Sequence, residues 1–276
     1  MNILVTGSTG LIGAALLPQL AGHAVTRYNR SAPPSLDGFD AVVHLAGEAI
    51  AGRWTAPKKD RIRASRRDGT RTLCEGLARC TRKPRVLLCA SAIGIYGDRQ
   101  DEKLTEDSPP GTGFLADVAR EWESATLPAT AAGIRVVNLR FGVVLSAQGG
   151  ALKQMLPAFR FGAGGIIGSG RQYWSWVALP DVVAAIQHAL TTDSLRGPVN
   201  VVAPFPVMNR AFTRTLGRVL HRPTIVPVPA WAVKLMLGEM GEALLLASTR
   251  VEPRRLLASG FKFQLPELEE ALQRLV

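Results

Sequence analysis

The sequence predicts an α/β fold: a doubly wound, largely parallel sheet with helices on both faces, followed by a smaller C-terminal lobe. Three observations predict it. Short runs rich in Val, Ile and Leu alternate with helical stretches up to about residue 145, and strands buried on both faces read as continuous apolar runs of this kind. A glycine-rich turn follows the first strand and opens a helix. Beyond that point the segments shorten, and Gly, Pro and Trp become more frequent. The chain has 276 residues, 47% of them apolar, close to the roughly 250–300 residues at which a single core stops growing. The expected division is a first domain over residues 1–150 and a mixed α/β lobe over 151–276.

In chain order, residues 2–6 form an apolar strand leading into Gly7, and 11–22 carry helical periodicity. Strands are expected at 24–28 and at 40–46 (DAVVHLA), then a long basic helix at 57–80 and a strand at 85–91 (RVLLCAS). A helix at 114–132 precedes a strand at 134–140 (IRVVNLR). Residues 162–170 (GAGGIIGSG) must be a loop, with helices at 180–190, 209–220, 231–248 and 266–275 and a strand at 199–202.

Bulk properties exclude several classes. The net charge is +11, part of it in the run from Lys58 to Arg67. That run reads as a solvated helix face or as a source of phosphate contacts. No zinc-finger, RNP or basic-zipper pattern accompanies it, so nucleic acid is not an expected partner. Cys74, Cys80 and Cys89 are odd in number and lack metal-pair spacing, which fits free thiols in a reducing cytoplasm. His23, His44, His188 and His221 are scattered, so no metal is expected. Residues 86–96 are too few to span a bilayer, and 231–248 contain Lys234, Glu239 and Glu242, whereas a span needs ~20 apolar residues. The chain opens directly as a strand with no charged leader. The expectation is a cytoplasmic protein with no membrane segment.

The strongest motif is Thr6-Gly7-Ser8-Thr9-Gly10-Leu11-Ile12-Gly13. In a strand–turn–helix setting Gly7 permits the tight turn, Gly10 lets the backbone approach a pyrophosphate, and Gly13 lets the helix pack against the sheet. The helix N-terminus offers free N–H groups and partial positive charge to phosphates. This is a Rossmann-type dinucleotide site. An NAD-binding strand 2 ends in an acid that accepts from the ribose 2′-hydroxyl. Here no acid follows until Asp37, while Arg30 and Ser31 suit a 2′-phosphate, because guanidinium binds phosphate through a planar fork. NADP(H) is the expected cofactor. Only residues 29–39, with Pro33, Pro34 and Gly38, separate strand 2 from DAVVHLA. They cannot hold both a helix and a further strand, so a truncated sheet edge and a looser adenine pocket are expected.

These residues resemble the extended short-chain dehydrogenases/reductases: the TGxxGxxG start, His44-Leu45-Ala46-Gly47, and Ile95-Tyr96-Gly97 carry the likeness. A narrower resemblance rests on Ala46 to Trp54 (AGE-x-I-x-x-RW), Ser65 to Thr70 (SR-x-x-x-T), Arg120-Glu121-Trp122-Glu123, and Arg140 to Leu145 (RFGVVL). These are similar to NAD(P)-dependent epimerase family proteins that carry a C-terminal domain of unknown function, which residues 251–261 and 266–268 resemble. The resemblance implies a nucleotide-sugar epimerase-like fold whose smaller lobe closes over a sugar-nucleotide-like substrate, and it leaves a homodimer open. It implies that Leu45, Ala46, Gly47 and Glu48 line the cofactor groove, and that Arg66 falls near an Asn that supports the active site in relatives.

The resemblance also implies a Tyr-x-x-x-Lys pair with an upstream Ser or Thr, a tuned phenol acting as general acid–base. The expected helix offers Phe114 and Val118, or Leu115 and Ala119. The Ser/Thr position is Ala92, with Ser91 one residue away, and along a strand one residue reverses the side chain's direction. The remaining candidates for chemistry are Glu48, Tyr96 and Ser91. The other account of Glu48 is a salt bridge to Arg53 or Arg66, and that of Tyr96 is core packing with a satisfied hydroxyl. In the smaller lobe, Arg171 is a candidate to hold a substrate anion and Trp174 to stack on a ring; otherwise Trp174 and Trp176 are core. Two readings stay open: an NADP-dependent oxidoreductase or epimerase with an unusual proton donor, and a catalytically silent NADP(H)-binding sensor or scaffold.

Overall fold

The computed structural model describes residues 1–29 and 33–276. Arg30 and Ser31, the expected 2′-phosphate ligands, lie outside the described residues. The first half runs β1 (Asn2–Thr6), α1 (Leu11–Gln19), β2 (Ala24–Arg27), β3 (Ala41–His44), α2 (Ala56–Arg79), β4 (Val86–Ala92), a 3-10 turn (Ile93–Tyr96) and β5 (Lys103–Leu104). It continues with α3 (Phe114–Ser124), α4 (Leu127–Ala131), β6 (Arg135–Phe141), β7 (Val143–Leu145) and α5 (Gly150–Arg160). The remainder is β8 (Tyr173–Trp174), β9 (Trp176–Ala178), α6 (Leu179–Thr191), β10 (Gly197–Val201), β11 (Val207–Met208) and α7 (Asn209–Leu220). Then come α8 (Ala230–Gly241), a π-helical turn (Glu242–Leu246), β12 (Arg250–Val251), α9 (Arg254–Ala258) and α10 (Leu268–Leu275).

Six strands form a central sheet in the order β10-β6-β4-β3-β1-β2, and every pairing in it is parallel. The chain steps from β1 outward to β2, then crosses to the other side of β1 and continues outward. The topological switch therefore falls between β1 and β3, where ligands of such sheets bind. In the register of these two strands Thr6 stands opposite His44, so the glycine turn and the Leu45–Glu48 loop leave the sheet side by side. β2 is the edge strand, and residues 33–40 form neither helix nor strand, which is the truncated edge the sequence predicts.

Local chemistry accounts for the helices that frame the site. α2 starts where the Thr55 hydroxyl accepts from the Lys58 backbone N–H, with Pro57 in its first turn, a position where proline's missing donor costs nothing. Its buried stripe of Ile62, Thr70, Leu73, Cys74 and Leu77 faces the sheet at helical spacing. The expected helix at 114–132 is instead two, α3 and α4, because Pro128 sits in the first turn of the second. The expected helix at 231–248 ends at Gly241 and passes into the π-helical turn.

The sheet core and a second core meet through β7–β9 and α6. The second cluster includes Leu152, Leu156, Trp174, Trp176, Phe212 and Leu268. The last strand of the sheet, β10, comes from beyond residue 150. Asp181 ties the C-terminal segment to α6. Fully buried, it accepts from the backbone N–H groups of Gln264 (2.7 Å) and Leu265 (3.0 Å). Among the described residues no helix is long and apolar enough to cross a membrane.

Candidate active site

Gly7 adopts φ +67°, and a Cβ there would lie 2.6 Å from the Leu45 carbonyl carbon and 2.7 Å from the Ala46 nitrogen. Only glycine allows the turn after β1 to press against the loop after β3. At Gly13 a Cβ would lie 2.3 Å from the Gly7 carbonyl oxygen, which makes close helix–turn packing the reason for that glycine. Gly10 differs: its Cβ would meet only the Gly7 oxygen, at 3.4 Å, so this glycine faces open space. Gly10 is also the N-cap of α1 and carries no side-chain cap. Thr9 and Gly10 are exposed, and Leu11 and Ile12 are partly so. The first N–H groups of the helix thus open onto a glycine-lined approach, as a pyrophosphate cradle requires.

The floor beneath this cradle is polar and fully bonded. Thr6 Oγ1 lies 2.6 Å from His44 Nδ1 and accepts from the Ala46 N–H at 3.3 Å, while His44 Nε2 lies 2.9 Å from Thr70 Oγ1. Buried polar groups are tolerated when bonded in this way.

Glu48 pairs with Lys58 (2.7 Å), not with Arg53 or Arg66, and Arg61 stands 3.8 Å away. The Lys58 hydrogen bond and charge hold the carboxyl below the usual carboxylate range; at neutral pH it is an anion with no proton to give. Arg66 sits beneath Gly47. Its Nη1 donates to the carbonyls of Glu48 (2.9 Å) and Ile62 (3.3 Å), and its guanidinium lies 4.8 Å from the Trp122 ring centroid. Burial pulls it down to about 10 against the opposing charge of Glu48, so it stays cationic at neutral pH.

Ser91 and Tyr96 are buried with both hydroxyls bonded inside the protein; for Tyr96 this is the core packing with a satisfied hydroxyl that the sequence offers beside a role in the chemistry. Ser91 Oγ donates to Glu123 Oε1 at 2.7 Å, and Glu123 is held bidentately by Arg140 at 2.7 and 2.8 Å. Arg140 Nη1 donates to the Tyr96 hydroxyl at 2.9 Å, and that hydroxyl donates to Asn200 Oδ1 at 2.7 Å. Tyr96 is 0% exposed, and burial raises its phenol despite Arg140. A catalytic phenol needs the opposite shift. Glu123 and Arg140 were legible only as parts of the REWE and RFGVVL motifs; what they join requires β4, α3, β6 and β10 together.

Trp174 takes the second of the two places the sequence left open. It is 6% exposed, its ring lies tilted against Phe212 with centroids 5.3 Å apart, and its indole N–H donates to the Leu245 carbonyl. It is core, as is Trp176. Arg171 is exposed. The residue of this stretch that reaches the site is Gln172, whose amide donates to the carbonyls of Ile167 and Leu245, each at 3.0 Å.

A cavity of about 610 Å³ lies between the main body and the C-terminal lobe, within the range of small-molecule sites. The body contributes Trp54, Gly94, Asp98, Phe114 and Leu115; the lobe contributes Ala230, Lys234, Glu239, Glu242 and Leu246. The expected catalytic helix therefore reaches a pocket, but it presents Phe114 and Leu115 where a tyrosine would stand. A Cβ on Gly94 would lie 3.2 Å from Leu115 Cβ, so Leu115 packs against the turn after β4. Trp54 and Phe114 meet edge to face at 5.1 Å. Lys59 bonds Glu239 across the gap between α2 and α8. The basic run is largely paired in this way, since Arg63 and Arg67 both approach Glu121. The lobe's wall was missed in the sequence because small residues such as Ala230 and Ala243 carry no motif.

The NAD dependent epimerase/dehydratase family matches residues 3–203, and a domain of unknown function (DUF1731) matches residues 228–275. An epimerase family protein of Mycobacterium bovis is 41% identical, over 98% of this chain and 96% of its own length. The fold superposes on the human epimerase family protein SDR39U1, crystallised with NADPH, with a TM-score of 0.94 and 34% identity, covering 100% of this chain and 99% of that one. The UDP-glucuronic acid 4-epimerase of Bacillus cereus shares the fold (TM-score 0.81, covering 100% of this chain and 98% of that one) at 16% identity.

Proposed function

The chain belongs to the NAD dependent epimerase/dehydratase family, and from that premise we propose that it binds NADP(H) at the β1–β3 switch point and exchanges hydride with a small molecule held in the cavity between the main body and the C-terminal lobe. The observation that carries this is the contrast within the glycine turn. Gly7 and Gly13 are required by contacts of 2.6 and 2.3 Å inside the protein, whereas Gly10 is required by nothing in the protein and faces outward. A glycine kept open in front of an uncapped helix N-terminus has a use only if a ligand backbone or phosphate comes there. The human relative crystallised with NADPH has the same fold along its whole length.

When bound, the nicotinamide would supply the hydride chemistry. The chain's own part is to bind and orient. Leu11, Ile12 and Gly13 would offer N–H groups to the pyrophosphate, Arg30 and Ser31 would receive the 2′-phosphate, and Leu45, Ala46 and Gly47 would line the groove. Arg66 would place a fixed cation beneath Gly47 in the absence of the family's lysine. Calorimetric titration with NADPH and with NADH tests the reading. NADPH should bind at least tenfold more tightly, and Arg30→Ala should remove most of that preference; binding of neither nucleotide would overturn it.

A second reading, a silent NADP(H)-binding protein, is favoured by one observation: Ser91 and Tyr96 have committed their hydroxyls to a buried network, and Glu48 is an ion-paired anion. Oxidation of NADPH with a panel of ketones and aldehydes separates the two. Turnover that saturates with carbonyl compound supports the first; tight NADPH binding with no turnover supports the second.

A further inference from the structure

We infer that the cavity takes an uncharged, largely apolar carbonyl compound or alcohol and excludes nucleoside-diphosphate sugars. The inference rests on the NADP(H) reading and names the substrate class of that same site. Its warrant is the charge around the cavity. Asp98, Glu239 and Glu242 line it, and Lys234 is the one basic residue among the described lining residues. Lys234 is already bonded to Glu242 at 2.8 Å, and Glu239 is bonded to Lys59, which stands outside the lining. Asp98 accepts from the backbone N–H groups of Gln100 and Ser248, both at 3.2 Å, so no side-chain cation offsets it.

A diphosphate needs free guanidinium or ammonium groups or several unpaired N–H donors. The other electropositive element is the N-terminus of α3, which opens on the cavity at Gly113–Ala116 without a side-chain cap and is worth about half a charge. Even with both lysines and that half charge counted, three carboxylates keep the balance negative. Such a rim repels a dianion while leaving a donor for one carbonyl oxygen. The uncharged lining agrees: Trp54, Phe114, Leu115, Ala243, Leu246 and Ala247 give it an apolar surface, and its neutral polar members Thr112, Ser169, Gln172 and Thr249 can hydrogen-bond a carbonyl without attracting an anion. A hydride acceptor of this class needs only its carbonyl polarised and its body buried.

The test uses the full chain, with and without saturating NADPH, and two probes: Nile red, which is neutral and apolar, and UDP-glucose. Nile red should bind saturably at one site, and Ala243→Trp or Ala230→Trp, which fill the cavity from two places, should each weaken it at least tenfold. UDP-glucose should neither bind nor displace the dye from the wild type. It should become measurable, by tenfold or more, in the Glu239→Gln/Glu242→Gln double variant, where Lys59 and Lys234 are released. UDP-glucose binding to the wild type that competes with Nile red would overturn the inference, as would dye binding indifferent to both tryptophans. NADPH affinity is measured on the same samples. Its retention confines a failure to the substrate class, and its absence removes the NADP(H) reading itself.

Discussion

The glycine turn after β1 and the first turn of α3 are the two places where this fold carries its chemistry, and they differ in what constrains them. At the glycine turn two of the three glycines answer to backbone geometry: a Cβ at Gly7 or Gly13 would strike main-chain atoms, while Gly10 stays open. At α3 the positions that resemble the family's acid–base pair hold Phe114 and Val118 or Leu115 and Ala119, and the nearby hydroxyls have been drawn inward. A turn fixed by backbone contacts resists change at the residues that make them, whereas a side-chain constellation can be exchanged for packing without moving the backbone. The chain therefore keeps its nucleotide-binding frame while its second wall has become apolar.

The largest expected effect lies on the rigid side. Gly13→Ala should drive the Gly7 carbonyl out of place and weaken NADPH binding at least 100-fold by calorimetry, with the helical circular dichroism spectrum retained. Next comes the buried network behind α3. Arg140→Met leaves Glu123 charged and unpaired in the interior, which costs about 3–5 kcal/mol, and the denaturant midpoint should fall accordingly. If Arg140→Met instead abolishes NADPH binding while stability holds, the network belongs to the site and the comparison breaks. Smaller still, Tyr96→Phe strips a buried hydroxyl from Arg140 and Asn200, at about 1–3 kcal/mol for the groups left unsatisfied.

Two weaker effects sharpen the electrostatic side. Glu48 has its carboxyl lowered by Lys58, so the pair's contribution to stability is present above the ordinary carboxylate value and lost as pH falls through the lowered one. Glu48→Gln should flatten the acid limb of a stability–pH curve by lowering stability at neutral pH while leaving it unchanged below the lowered carboxyl value. The smallest effect concerns the thiols. Burial pushes Cys74 up to about 12 and Cys89 well above the ordinary range, and Cys80 is the one thiol not fully buried. The native protein should release one equivalent of thiol colour with a disulfide reagent, slowly, and three after denaturation.

What the sequence shows follows the same divide. The six strands of the central sheet, the phosphate turn, the long α2 and the shortened edge were readable because each is a local pattern: apolar runs, glycine spacing, or a segment too short for a crossover; the two- and three-residue strands outside that sheet carry no such run. Ser91, Tyr96 and Trp174 carried the right chemistry for a site and were placed elsewhere, because which way a strand-end or loop side chain turns is decided by partners distant in sequence. Tyr96 finds Asn200 and Arg140, and Trp174 finds Phe212. The cavity was invisible for a related reason: its outer wall is a helix, a π-helical turn and a few alanines brought over Phe114 by the pairing of β12 with β5.

The most direct test is one calorimetric experiment: NADPH titrated into the wild type and into Tyr96→Phe, at a temperature where both are folded. A nucleotide frame separate from a structural tyrosine requires stoichiometric binding with equal Kd for the two proteins. Absence of binding in the wild type, or a tenfold or greater loss confined to Tyr96→Phe, would contradict it.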